Sequence, residues 1–324
     1  MFSPKYIIDE KFTNSKNDDS LFWAHLSLNE NAVDILEQHL DKANWWNLSL
    51  NPKAIHILEK NIDKINWNNL SSNPNAIPIL ENNIDKINWF WLSGNPNAIH
   101  LLEQNLDKVE LFHLSLNLNA VPLLENNLHL VHWSCLSKNP NAIHLLERNL
   151  DKIDWWALSK NPNAIHLLEK NLDEVNWEYL SENPNAISIL EQHLDKVNWV
   201  TLSKNPNAIH IIEKEKIVCW PYLSENPNAI HLLEKNLDKV DMYCLSINPN
   251  AIHLLKKNLD KINWDILSLN PNAIHLFATL DTKRMRSNCR PFAEELAQHV
   301  FHPNRIIRLS NACGMNMDEY LELY

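Results

Sequence analysis

Glycine is almost missing from this chain: Gly94 and Gly314 are the only two in 324 residues. Phosphate-cradling loops and dinucleotide folds need clusters of glycine so that backbone can approach the ligand, and neither residue lies in one, so nucleotide enzymes of those classes are all but excluded. Cysteine is scarce and unpaired in pattern. Cys135, Cys219, Cys244, Cys289 and Cys313 are far apart, odd in number and never form a CxxC pair, which fits buried thiols in a reducing compartment. Positive charge is in deficit: the formal net charge is -11 and the pI about 5.8. Broad attraction to nucleic acid or to an anionic membrane is therefore not expected, and proteins are the expected partners. No stretch approaches the ~20 apolar residues of a membrane span, and the start, MFSPKYIIDEKF, lacks a basic region followed by an apolar one. These absences predict a soluble chain that is not secreted.

What the chain has instead is repetition. NPNAI occurs nine times word for word, and NENAV at 29, NPKAI at 51 and NLNAV at 117 bring the count to twelve. A Leu-Ser pair recurs every 22 residues from Leu26 to Leu267, with one step, Leu202 to Leu223, short by a residue. Periods of this size mark stacked units, none of which buries its apolar face alone.

In the unit from Asn161, Asn before Pro predicts an N-cap with Pro162 at the first helical position. Ala164, Ile165, Leu168 and Leu172 then follow at helical spacing for about three turns. Asn176 predicts a second cap, and Trp177 and Leu180 share one face of a shorter helix, 3₁₀ in places. The expected fold is all-α: an α-solenoid of about twelve 22-residue repeats, each a long helix plus a short one. Leucine-rich-variant repeats have a similar design. At ~8–10 Å per layer the array is expected to form a rod or superhelix on the order of 100 Å long. Residues 1–20 read as a loose leader, 21–280 as the solenoid and 281–324 as a helical C-terminal cap over its last apolar face. The shortened unit, Glu213 to Trp220, predicts a kink.

Repetition turns residues into columns. Trp stands three before the Leu-Ser pair in ten of twelve units, and its replacement by Leu111 and Met242 favours a core role over base stacking. His56, His100, His144, His166, His210, His231, His253 and His275 share one position. Neighbours in that column lie a layer apart, too far to share a metal ion, so a solvated face is expected. The glutamates from Glu37 to Glu234 are equivalent by construction, whereas acid-base catalysis wants carboxylates in distinct environments. No catalytic, cofactor-binding or metal-binding residue is expected.

The informative positions vary inside the fixed frame. The residue after Trp and the residue after Leu-Ser are four apart and share a helix face; that face is apolar early in the array and charged in its middle. Aromatic residues spaced at layer intervals are what interface hot spots look like. The candidate partner-binding residues are Trp46, Phe90, Phe112, Leu116, Trp156 and Tyr243.

The NPNAI units, the Trp-x-x-Leu-Ser frame and the tail motifs His302-Pro303-Asn304-Arg305 and Glu319-Tyr320-Leu321 resemble tandem-repeat proteins encoded by giant nucleocytoplasmic DNA viruses, mimivirus relatives especially. That resemblance covers about residues 21–323. It implies the repeat architecture and, as a place of action, the host cytoplasm. Because no catalytic constellation emerges that is not simply a repeat column, the expected function is a non-enzymatic repeat scaffold for protein-protein interaction, without a cofactor. Two alternatives stand beside it: a structural component of a virion or viral factory, and a substrate-recognition subunit of a host ubiquitin ligase. Against the latter, residues 1–20 hold no F-box-like leucine motif.

Overall fold

An asparagine before each tryptophan starts a short helix. Asn66 lies in extended backbone and its side chain accepts from the Asn69 N–H at 2.9 Å, satisfying a donor left over at the helix start. The helix Trp67–Ser72 follows. Asn73-Pro74-Asn75-Ala76 then forms a turn in which the Asn73 carboxamide oxygen accepts from the Asn75 N–H at 3.1 Å. Helical geometry resumes only at Ile77, for Ile77–Glu81. Asn83 donates Nδ2 to the Ile79 carbonyl at 2.8 Å, a 3₁₀ turn Ile84–Lys86 follows, and Asn88 caps the next helix. The expected long helix is thus only four to seven residues, because asparagine side chains compete for backbone groups on both sides of it.

The computed structural model describes residues 5–9, 12, 20–285, 290, 305–307 and 309. The fold is the expected all-α repeat solenoid, joined by a single two-stranded antiparallel sheet among the described residues, β1 (Tyr6–Ile8) against β2 (Ala278–Leu280), with Tyr6 opposite Leu280. Leu70, Ala76 and Leu80, and their counterparts in almost every other unit, have no exposed surface. Residues 14–276 form one compact unit, and the two ends of the chain, from 1 to 13 and from 277 to 324, form another.

Neighbouring repeats are joined through the first Asn of each turn. Asn73 donates Nδ2 to the Ser49 carbonyl (3.0 Å) and the Asn51 carbonyl (3.1 Å) of the preceding repeat. The second Asn, Asn75, donates to the Pro52 carbonyl at 2.9 Å. Ser71 donates Oγ to the Trp67 carbonyl (2.7 Å) and accepts from the Asn88 N–H of the following repeat (3.0 Å).

The pattern does not stop at the first repeat. Asn29 donates to the carbonyls of Ser268 (2.8 Å) and Asn270 (3.2 Å), and Asn31 to that of Pro271 (3.0 Å). These are the twelfth repeat's counterparts of the groups that Asn51 contacts at Ser27 and Asn29. His25 Nδ1 and Ser268 Oγ, bonded to the Asp265 and Phe22 carbonyls, add two bonds at this seam. The repeat unit therefore closes on itself, and the expected open rod is corrected to a ring of twelve.

Unequal spacing supplies the curvature. Trp-helices of neighbouring repeats stand closer together than the Ile-helices do. Asn47, Asn69 and Thr201 accordingly reach the preceding repeat's backbone with short side chains, at 2.8–2.9 Å. In a closed ring the more closely spaced elements lie on the inner side, so the Trp-helices form the inner wall.

Three further expectations change. No kink marks the short unit: Lys216 adopts φ 58 after the extended helix Ile209–Glu215, and Asn226 still reaches Ser203 and Asn205 at 3.0 Å. Within the leader expected over 1–20, Tyr6–Ile8 forms β1. The last repeat's face meets the first repeat, and the helical cap expected over 281–324 lies mostly outside the described residues.

Replacing a ladder asparagine by aspartate removes both donors and faces two buried carbonyls with a carboxylate. Asn161→Asp is expected to cost ~2–4 kcal/mol in urea unfolding. If the ring is closed, Asn29→Asp costs about as much; in an open array the first-repeat substitution is nearly silent.

Candidate interaction surface

On the outer side the histidine column is exposed, as expected, but seven of its eight rings are tied to a glutamate of the preceding repeat. His56–Glu37, His100–Glu81, His144–Glu125, His166–Glu147, His210–Glu191, His231–Glu213 and His253–Glu234 meet at 2.7–2.9 Å. Two long side chains span here what one Asn or Thr spans on the inner wall. His275 faces Lys256 instead of a glutamate, and burial first, then that ammonium, holds its imidazole below the usual range. A shallow open hollow of ≈ 200 Å³ lies where Pro78 replaces a histidine beside Glu59, lined also by Ile62, Ile79, Asn82 and Asn83. Among the described residues no three His, Cys, Asp or Glu side chains gather as metal ligands, and no helix is long and apolar enough to cross a membrane.

The tryptophan column corrects its expected core role. Trp23 is buried, but Trp45, Trp67, Trp89 and Trp177 are half-buried. The lysine of the same unit's Asp-Lys pair lies over each ring: Lys64 over Trp45, Lys86 over Trp67 and Lys108 over Trp89 at 4.8 Å, and Lys196 over Trp177 at 5.1 Å. These lysines belong to a cation–π belt.

The inner wall carries the variable positions. Trp46 is 57% exposed, Phe90 46%, Phe112 43%, Trp156 64% and Tyr243 52%, while Leu116 is half-buried. Closure changes how they group. The twelfth repeat's Trp-helix packs on the first, so the columns holding Ile247 and Leu269 run on to Leu28 and Leu50 across the seam; Phe90, Phe112 and Leu116 follow beyond the polar Asn68 and Ser72 of the third repeat. The remaining sector carries Lys138, Lys160, Glu182, Lys204 and Glu225. Within it Trp156 and Val200, 47% exposed, are the large apolar side chains at the position after the tryptophan, and Trp46 and Tyr243 lie repeats away from the phenylalanines.

Phe90 and Phe112 are brought together through His113, with ring centroids 4.2 and 5.3 Å from the imidazole. Trp91, 41% exposed, packs edge-on against Phe90 at 5.1 Å and His113 at 5.3 Å. Glu110 takes the capping place usually held by Asn; its Oε2 accepts from the His113 N–H and from His113 Nδ1, both at 2.9 Å. Burial alone would raise the Glu110 carboxyl, but these bonds outweigh it and hold it below the usual carboxylate range. Sequence reading had passed over Trp91, His113 and Glu110. The available signal was local: Trp89-Phe90-Trp91 and Glu110-Leu111-Phe112-His113 depart from the frame in consecutive repeats.

No protein-family model matches the chain, and neither a curated protein nor a solved structure matches it. The aromatic sector is therefore argued from its own geometry.

The same helix position holds Cys135 and Cys244. Burial raises the Cys135 thiol. Burial, with Asp241 and Glu225 beside it, pushes Cys244 up to about 12. Both should resist iodoacetamide at pH 8 in native protein and react once the chain is unfolded, as read by mass spectrometry. Because the folded Cys244 thiol keeps its proton to higher pH than a free thiol, its contribution to stability is lost as pH rises from about 9 towards 12.

Proposed function

We infer that the chain is a non-enzymatic scaffold whose ring presents its inner aromatic arc to a protein partner. The observation that carries this reading is the cluster of exposed Phe90, Trp91 and Phe112, with exposed Trp46 and Ile247 on the same wall. Large exposed aromatic side chains on a fixed frame are the usual anchors of protein interfaces. The net charge of -11 speaks against nucleic acid as the ligand. The resemblance to giant-virus repeat proteins supports the cytoplasm of an infected host cell as the place of action. An alternative, a structural part of the virion or viral factory, draws on the same arc as a self-assembly surface.

The test is affinity capture of the tagged full chain from host cells, beside a Trp46→Ala, Phe90→Ala, Phe112→Ala variant whose fold is checked by circular dichroism. All three side chains are about half exposed or more, so the variant is expected to fold. A partner recovered with the parent and lost with the variant is the expected result. Recovery of the same proteins by both would overturn this arc as the binding surface, and recovery of the chain alone would favour the structural role.

A further inference from the structure

Apart from the belt of lysines over the Trp column, two repeats place a lysine of one Trp-helix over an aromatic ring of the next. Lys160 Nζ lies 4.5 Å from the ring centre of Tyr179, and Lys204 Nζ 4.1 Å from that of Tyr222. Each lysine also pairs with a glutamate of the next repeat, Lys160 with Glu182 at 3.4 Å and Lys204 with Glu225 at 4.0 Å. The arrangement is positional: the lysine follows the Leu-Ser pair of one repeat, and the tyrosine is the third residue of the next repeat's Trp-helix.

The same two columns meet again between the third, fourth and fifth repeats. There the rings are present, Trp91 and His113, but the lysine's place is taken by Ser72 and Gly94. A Cβ built on Gly94 would lie 3.6 Å from His113 Cβ and Cδ2, so a side chain at this position points at the ring as in the lysine repeats. With only a hydroxymethyl and a hydrogen at these two places, no lysine or arginine among the described residues lies over Trp91. Phe90 packs on His113 with ring centroids 4.2 Å apart, so the uncovered ring is Trp91, and the Glu110 carboxylate lies behind His113.

We propose that the place left by Ser72 over the exposed Trp91 receives a lysine or arginine side chain of the protein partner, as Lys160 and Lys204 cover a ring elsewhere in the array. This rests on the scaffold reading and names the chemistry that its partner must bring. Indole is the best of the aromatic faces for a cation, and a guanidinium also stacks on it. The acidic balance of the whole chain favours approach of a basic segment.

The test uses the full chain at physiological salt and a fluorescein-labelled nonapeptide containing four arginines, with a leucine- and phenylalanine-containing peptide of equal length as the apolar probe. Anisotropy titration should show the arginine peptide binding the parent, with affinity falling about tenfold for Trp91→Leu and for the self-filled Ser72→Lys variant, a loss of about 1.4 kcal/mol. Lys160→Ala, which uncovers Tyr179, should not weaken binding. Equal binding by parent and both gap variants would mean only general attraction to an acidic protein and would overturn the proposal, as would no binding of the arginine peptide. If the apolar probe binds and loses affinity in the Trp46→Ala, Phe90→Ala, Phe112→Ala variant while the arginine peptide fails, the scaffold reading stands and the cation slot falls. Failure of both probes counts against both. Circular dichroism melts of all variants separate loss of binding from loss of fold; Ser72→Lys copies a residue that the chain already holds at this position in other repeats.

Discussion

A single carboxamide holds the ring together. The first asparagine of each turn has two N–H donors and one acceptor oxygen, and all three are used: the donors on two carbonyls of the preceding repeat, the oxygen on the N–H two residues ahead. The side chain is buried, with Asn161 showing no exposed surface. An aspartate lacks the donors and a leucine lacks all three groups, which would leave backbone polar atoms unpaired in the interior. The tight turn and the approach distance between repeats both follow from keeping this one amide satisfied, and it stays satisfied across the shortened repeat at Asn226.

Much of that architecture was legible beforehand. The apolar spacing gave the Leu and Ala positions of the core, and Asn before Trp gave the cap. Closure was not legible, because it depends on the wedge between inner and outer spacing, a property of how Asn69 reaches Trp46 on one side and His56 reaches Glu37 on the other. The tryptophans were misread for a related reason. A recurring large apolar residue suggests a core, but here the ring lies half-buried at the edge of the unit and is covered by a lysine from the same repeat. The kink failed because one residue, Lys216, accepts a left-handed backbone and restores the register.

The candidate surface was partly legible as well. Variation within a fixed frame singled out Phe90 and Phe112, and both are exposed on the inner wall. Their connection through His113 was not, because it depends on how the third residues of neighbouring Trp-helices, Trp91 and His113, meet across the repeat boundary. Only the folded arrangement puts Trp91, His113 and the Glu110 carboxylate next to an unusually small pair, Ser72 and Gly94.

Closure also changes how such a chain comes apart. An open array has two outermost repeats, each held on one side only, and it frays from them. The ring has no outermost repeat and one more interface than an open array of the same length, so freeing any unit breaks contacts on both of its sides. Unfolding then has to begin in a place as well packed as every other, which slows the first step and makes later ones follow together.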